Sequence, residues 1–510
     1  MKYIISIDVG TTSIKIGLFD KQLKAVGFLG EEYTLLMPQN EYVELDADIY
    51  WQSIKKVIKK LLKQYGVDGQ DIASIGICSQ GETVIPVDKN GNPLHNAIVW
   101  LDARAKEEAE LLKHKIGEDL FYRTTGLNEI WAAHPICKLL WIKNNLPQVY
   151  NETDKFLLLT DFITYQLCGK ALTEWTMMCS TGYYDINQKR VWFEGLRAAG
   201  IDLEKIPPVH KSGISAGTVS PDVANSLGIS ADTKVIISAN DQMCGAVGGG
   251  NISPGIVTET TGTALVLTAS VDKPNYDSAQ KLVYYLHVKG NYLSVLYSTT
   301  AGMILKWFKD EFCEKEVREA RELGVSIYDM LGRMAAAIAP GSEGLMLYPQ
   351  FAGKVSPNND PYTRGVFFNV GLNSKKAHFI RAIFEGVAYM LCENIKAIEE
   401  SGIIVSEIKS MGGGSKSDIW NQIKADVTGK TIVTLEHTET TSLGVAIIAA
   451  VSLNWFESIE EAVRDTVLVD KVFHPNAENA QKYMKAYAVY TQLDKGFAEF
   501  FYQLNDKNSN

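Results

Sequence analysis

The N-terminal run Ile4-Ile5-Ser6-Ile7-Asp8-Val9-Gly10-Thr11-Thr12-Ser13-Ile14-Lys15-Ile16-Gly17-Leu18-Phe19-Asp20 sets two apolar segments, Ile4 to Val9 and Ile14 to Phe19, on either side of Gly-Thr-Thr-Ser. This pattern predicts a β-hairpin buried on at least one face. Gly10 lets another group approach the backbone closely, and Thr11, Thr12 and Ser13 add hydroxyls to the N–H groups of the turn. That set suits phosphate oxygens. Asp8 closes the first strand, where a carboxylate can hold a hydrated divalent cation beside such phosphates. An ordinary hairpin with a polar turn has the same letters, so the rest of the chain must separate the two readings.

A chain of 510 residues is long for one core and predicts two large domains. The apolar fraction of 46% and charged fraction of 22% are those of a globular protein. A net charge of −10 disfavours nucleic acid and gives no reason to expect a membrane surface as partner. No window reaches the run of about 18 uncharged apolar residues that a membrane span needs, and Asp8 interrupts the first apolar run too early for a signal peptide. The seven cysteines are scattered and lack a Cys-x-x-Cys pair, which predicts reduced thiols and a cytoplasmic protein.

Trp51, Ile54, Val57, Ile58, Leu61, Leu62 and Tyr65 have the spacing of an amphipathic helix whose lysines form a solvated face. Ile72 to Cys78 reads as a buried strand ending in Ser79-Gln80-Gly81-Glu82-Thr83. A further strand around Ala97 to Trp100 runs into Leu101-Asp102-Ala103-Arg104. Polar residues delivered at the carboxyl ends of strands are where open α/β sheets place ligands. The stretch from Ile206 to Gly217 reads as a loop, and Lys234 to Ser238 as a strand leading to Ala239-Asn240-Asp241-Gln242. A boundary is expected near residue 250, giving domains of 1–249 and 250–510. After it, Gly255 to Thr268 repeats strand, Thr/Gly turn and strand around Thr261-Gly262-Thr263, as if a second, related α/β domain presented its own phosphate turn. Lys376 to Glu400 is expected to be a long helix, Ile408 to Met411 a strand entering Gly412-Gly413-Gly414-Ser415, and Asn476 to Leu504 a terminal helix.

Asp241 follows a buried strand among small residues at the inferred junction, where a carboxylate can accept the proton of a hydroxyl attacking a γ-phosphate. The competing reading is a turn-capping aspartate. The Gly412 to Ser415 turn exposes N–H groups at a helix start. Thr428-Gly429-Lys430-Thr431 ends like a P-loop, but Lys424 stands where that pattern needs Gly. The histidine spacing matches no zinc site. Gly213-Ile214-Ser215-Ala216-Gly217 matches a nucleophile elbow by letters, but no apolar strand leads into it, so it reads as a loop. Trp131 and Trp307 read as core on residue type alone.

These elements, in this order, resemble the FGGY family of carbohydrate kinases over essentially the whole chain, with the xylulokinase-like branch the nearest match. The resemblance implies an α/β fold of two actin-like (ribonuclease H-like) domains around a central cleft. It implies ATP with Mg²⁺, Asp8 as the metal-side carboxylate and Asp241 as catalytic base. Gly10, Thr11, Thr12, Ser13, Thr261, Gly262, Thr263, Gly302, Lys306, Gly413, Gly414, Ser415 and Asp418 would face the nucleotide. Gln80, Gly81, Glu82, Trp100, Asp102, Arg104, Trp131 and Asp241 would face a sugar or polyol. Xylulokinases carry Met-His-Gly where this chain has Gly81-Glu82-Thr83, and glycerol kinases carry Arg-Glu-Thr. The small Gly81 is therefore expected to leave room for a pentulose or a longer polyol, with glycerol and gluconate as alternatives. An actin-like ATPase or chaperone without a sugar substrate is the reading from another class. The assembly state stays open, a homodimer among the options.

Overall fold

The computed structural model describes residues 1–277 and 282–505. Tyr3–Val9 (β1) and Ser13–Phe19 (β2) form the expected antiparallel hairpin, with Ile4 opposite Phe19 and Val9 opposite Ile14. Consecutive residues Ile4 and Ile5 point to opposite faces, and both are fully buried, so the sheet is covered on both sides. Ala25–Glu32 (β3) continues the hairpin antiparallel, and Ile72–Ser79 (β4) pairs parallel with β1 on its other side. Ile214–Thr218 (β5) is the far edge strand, and Lys234–Asn240 (β6) lies between it and β4, parallel to β4. The order is β5-β6-β4-β1-β2-β3.

The segment Gly213 to Gly217 is therefore not the loop its Ser and Gly content predicts. Ile214 pairs with Ile237 and Ser215 with Ile236, a bulge precedes Gly217, and Ala216 is buried. An edge strand needs apolar residues on one face only, and long-range pairing supplies what local propensity does not.

Ala47–Tyr65 (α1) starts earlier than its apolar spacing suggests, because Asp46 accepts the Asp48 N–H as a cap; it ends at Gly66 with φ 63°. Pro135–Asn145 (α2) and Asp241–Gly248 (α3) are the other helices of this half that the site uses.

Ile256–Thr261 (β7) and Leu265–Val271 (β8) make the second hairpin. With Val283–Leu286 (β9), Tyr292–Ser298 (β10), Glu407–Met411 (β11), Thr431–Leu435 (β12) and Val469–Phe473 (β13) they form a sheet of order β9-β10-β8-β7-β11-β12-β13. From β10 to β13 its pairings run antiparallel, antiparallel, parallel, parallel, antiparallel. The first sheet repeats that succession from β3 to β5. The echo in the sequence is thus an echo of topology.

Gly302–Phe312 (α4), Lys376–Glu400 (α5), Asp418–Thr428 (α6), Thr440–Ser452 (α7) and Ala477–Asn505 (α8) belong to the second half. Phe384 of α5 stacks on Trp420 of α6, centroids 4.5 Å apart. Unforeseen in the sequence, α7 crosses to the first half and packs on α3, β1 and β4. Its all-round apolar character fits a helix buried on every side. No described helix is long and apolar enough to cross a membrane.

Candidate active site

The parallel strands β1, β4 and β6 deliver their ends side by side, with Asp8 beside Cys78, and Val9 and Asn240 on either side of Ser79. Asp241 follows at once as the first residue of α3. Asn240 is the helix cap, its Oδ1 accepting the Gln242 N–H at 3.0 Å, so capping is not what Asp241 is needed for. The same N–H donates to Asp241 Oδ1 at 2.7 Å and holds that carboxylate in orientation. Burial, then the charges of Asp8 and Glu82, push Asp241 up to about 8. Burial also raises Asp8 to about 6, opposed by the Cys78 thiol, which donates to it at 3.6 Å, and by Lys15.

The first turn is built by its neighbours. The Gly10 N–H donates to the Ser13 carbonyl at 2.9 Å, the Tyr33 hydroxyl to the Gly10 carbonyl at 2.5 Å, and the Tyr33 N–H to the Thr12 carbonyl at 2.9 Å. The Gly10 and Thr12 carbonyls are thus occupied by Tyr33, the residue that follows β3. Trp100 Nε1 donates to Thr11 Oγ at 2.9 Å and ties the strand end near residue 100 to this turn. Trp100 is thus anchored to the Gly10–Ser13 turn, with its indole N–H already committed.

Glu82 stands at φ 42°, rare for a residue with a side chain. The fully buried Lys138 of α2 holds the segment, donating from Nζ to the Glu82 carbonyl at 2.9 Å and to the Val99 carbonyl at 2.8 Å. Burial raises the Glu82 carboxyl, against the attraction of Lys138, and lowers the Lys138 ammonium, against Asp102 and Glu82. Gln80 is 4% exposed, and neither of its amide atoms makes a hydrogen bond among the described residues.

A Cβ on Gly81 would lie 2.8 Å from Ser180 Oγ and 3.2 Å from Asn240 Nδ2, so the backbone here runs close against these two side chains.

Asp102 and Arg104, expected to face a sugar, bond to each other. Arg104 Nε donates to Asp102 Oδ1 at 2.8 Å, and Nη2 donates to Asp102 Oδ2 and Glu44 Oε1, both at 2.7 Å. Asp102 Oδ2 also accepts the Val43 N–H at 2.6 Å, and the guanidinium lies 3.9 Å from the centre of the Tyr42 ring. With side chains 0% and 1% exposed, they form an internal ion cluster that shapes the wall and present no charge to a ligand. Trp131 and Trp307, expected in the core, are 38% and 37% exposed; Trp131 stands edge-on to His134, and Trp307 edge-on to Phe351.

On the second sheet, the predicted nucleotide residues converge. The Gly302 N–H donates to the Gly262 carbonyl at 2.8 Å and the Ala301 N–H to the Thr263 carbonyl at 2.8 Å, fixing the start of α4 on the turn. Gly302 would place a Cβ 2.4 Å from the Gly262 carbonyl oxygen, and Gly414 would place one 2.6 Å from Thr261 Cβ. Gly412, at φ 76°, sends Gly413, Gly414 and Ser415 over β7, with Ser415 closing its own turn onto the Gly412 carbonyl at 2.8 Å. A Cβ on Gly262 would meet only open space. Lys306 and Asp418 are placed differently, their charged ends paired at the surface with Asp310 and Lys471.

The sequence reading missed several supporting groups. Thr261 Oγ donates to Glu259 Oε2 at 2.7 Å, and Glu259 is paired with the fully buried Lys424 at 2.5 Å, the lysine that spoiled the P-loop pattern. Lys138 sits inside an apolar stretch of α2, which could have marked it as buried. Glu439, just before α7, pairs with Lys15 of β2 at 2.5 Å, a contact that no spacing announces.

Residues 3–248 match the N-terminal domain of the FGGY family of carbohydrate kinases, and residues 256–453 match its C-terminal domain. The chain is similar to a xylulose kinase of Staphylococcus epidermidis, 32% identical over 497 residues covering 96% of each. It is also similar to a gluconokinase of Bacillus subtilis, at 28% identity over 99% of this chain and 98% of the relative. Among solved structures, ligand-bound xylulose kinase from Lactobacillus acidophilus superposes with a TM-score of 0.89 at 26% identity, covering 99% of this chain and 100% of that one.

Proposed function

The chain belongs to the FGGY family of carbohydrate kinases, and from that membership we propose that it phosphorylates a neutral ketose, a pentulose such as xylulose. Residues 1–249 would hold the sugar and 250–510 the nucleotide. The observation that carries the neutral-sugar reading is the charge of the acceptor wall. Burial raises all three of Asp8, Glu82 and Asp241, and Asp8 and Glu82 raise Asp241 further, while Arg104 and Lys15 are already ion-paired. Arg104 is locked to Asp102 and Glu44, Lys138 donates to carbonyls, and Lys15 pairs with Glu439. An aldonate would bring another negative charge beside these carboxylates, where Arg104 and Lys15 are already ion-paired and Lys138 is buried behind the Glu82 carbonyl. A ketose brings hydroxyls that Glu82, Gln80 and Asp241 can bond.

Asp241 takes the proton of the attacking hydroxyl on the carboxylate oxygen that Gln242 leaves free. A base raised this far by burial binds that proton more firmly than an ordinary carboxylate. The two Thr-rich turns would donate to phosphate oxygens of ATP, and the glycines of 412–414 lie against Thr261 where only backbone fits. The oxygen donors Asp8 and Asp241, raised and without a free cation beside them, suit a hydrated hard cation, so Mg²⁺ held through Asp8 and water fits the site; when bound it would neutralise charge on the phosphates. A cytoplasmic setting agrees with the unpaired cysteines.

The test is ADP release with a pentulose, glycerol and gluconate panel. Strong stimulation by a pentulose and none by gluconate is expected. Gluconate as the best acceptor would overturn the neutral-sugar reading, and ATP turnover indifferent to every sugar would favour an actin-like ATPase. Asp241→Ala should lose several orders of magnitude of turnover while still binding ADP.

A further inference from the structure

Asp241 is also held from a side that neither the sugar nor the nucleotide residues account for. Glu174, fully buried ahead of the short helical segment Trp175–Met178, accepts the Thr176 and Met177 N–H groups at 2.9 and 2.6 Å. It also accepts the Thr176 and Ser212 hydroxyls, each at 2.6 Å. Four donors fill a carboxylate that no ligand can reach. A hydroxyl has one proton, and with that proton given to Glu174 the Thr176 oxygen can only accept on its other side. It accepts the Asn240 N–H at 2.8 Å. Asn240 caps α3 through the Gln242 N–H, and that N–H also orients Asp241.

We propose that Glu174 and Thr176 are positioning residues for the phosphoryl-transfer base, fixing the β6–α3 junction so that Asp241 meets the acceptor hydroxyl. The charge on Glu174 polarises the Thr176 hydroxyl and strengthens the bond that Asn240 makes to it. Ser212 anchors the other side of Glu174 to the segment leading into β5. The inference rests on Asp241 being the base. Misplacing a reacting group by about 1 Å costs on the order of a hundredfold in rate, so the effect belongs in kcat.

Thr176→Val keeps the shape of the side chain and removes the hydroxyl; Thr176→Ser keeps the hydroxyl. Each is compared with Asp241→Asn using ATP and the best acceptor among xylulose, glycerol and gluconate, with ADP binding followed by calorimetry. Thr176→Val is expected to lose kcat by roughly ten- to a hundredfold, with both KM values and ADP affinity unchanged, and Thr176→Ser to restore the rate. Wild-type kcat in Thr176→Val, an equal loss in Thr176→Ser, or loss of ADP binding together with rate would each overturn the positioning role. An active Asp241→Asn would instead overturn the base assignment on which the proposal stands.

Discussion

At the scale of single residues, the candidate site is a set of carboxylates raised by burial, with Asp241 raised further by Asp8 and Glu82. Asp241, pushed up to about 8, is mostly protonated at pH 7 in the free protein, whereas Asp8, at about 6, is mostly ionised. A base works only when deprotonated. The sign follows directly: kcat/KM should rise with pH up to about 8 and level off above it, falling close to tenfold for each unit below. A pH profile at low substrate checks this, and an acid limb breaking near pH 4, the range of an ordinary exposed carboxylate, would contradict it. The identities of Asp8 and Asp241 were legible in the sequence because each ends an apolar run. The commitments of Asp102 and Arg104 were not. A Trp-x-Asp-x-Arg turn reads as a ligand contact until Glu44, some 60 residues away, is found beside the guanidinium.

At the scale of elements, the turns of the second sheet depend on backbone meeting close neighbours. Gly414 lies against Thr261 so closely that a methyl group would overlap Thr261 Cβ and Cγ2 at 2.6 and 2.7 Å. Gly414→Ala should therefore push the 412–415 turn away from the second hairpin. The expected result is a loss of about tenfold in ADP affinity, ~1.4 kcal/mol, with the sugar KM unchanged; calorimetry that finds wild-type affinity would sink this account of the turn. Strand–turn–strand segments were legible because apolar alternation and turn residues are local signals. The edge strand β5 was not, since half of what makes it a strand is the hydrogen-bonding row of β6.

At the scale of the whole molecule, two sheets of the same topology are joined by more than their connecting chain. α7 crosses from the second half to pack on α3, where Gly444 would set a Cβ 1.8 Å from the Cys244 carbonyl oxygen and Gly248 one 1.9 Å from that of Thr440. Gly444→Ala should force these helices apart and destabilise the fold by about 1–3 kcal/mol, read as a lower denaturant midpoint; an unchanged midpoint would contradict the tight crossing. The same crossing brings Glu439 to Lys15 and so links the second half to β2, beside the Gly10–Ser13 turn. By itself, the order of residues determined the two hairpins, their Thr-Gly turns and the carboxylates near the end of β1 and just after β6, because hydrophobic periodicity and turn chemistry act over a few neighbours. Only the tertiary structure decided which of the candidate charges stay available to a substrate. Burial and ion pairing join residues tens to hundreds of positions apart, and they tied Arg104 to Asp102 and Glu44 and placed Glu174 behind Asp241.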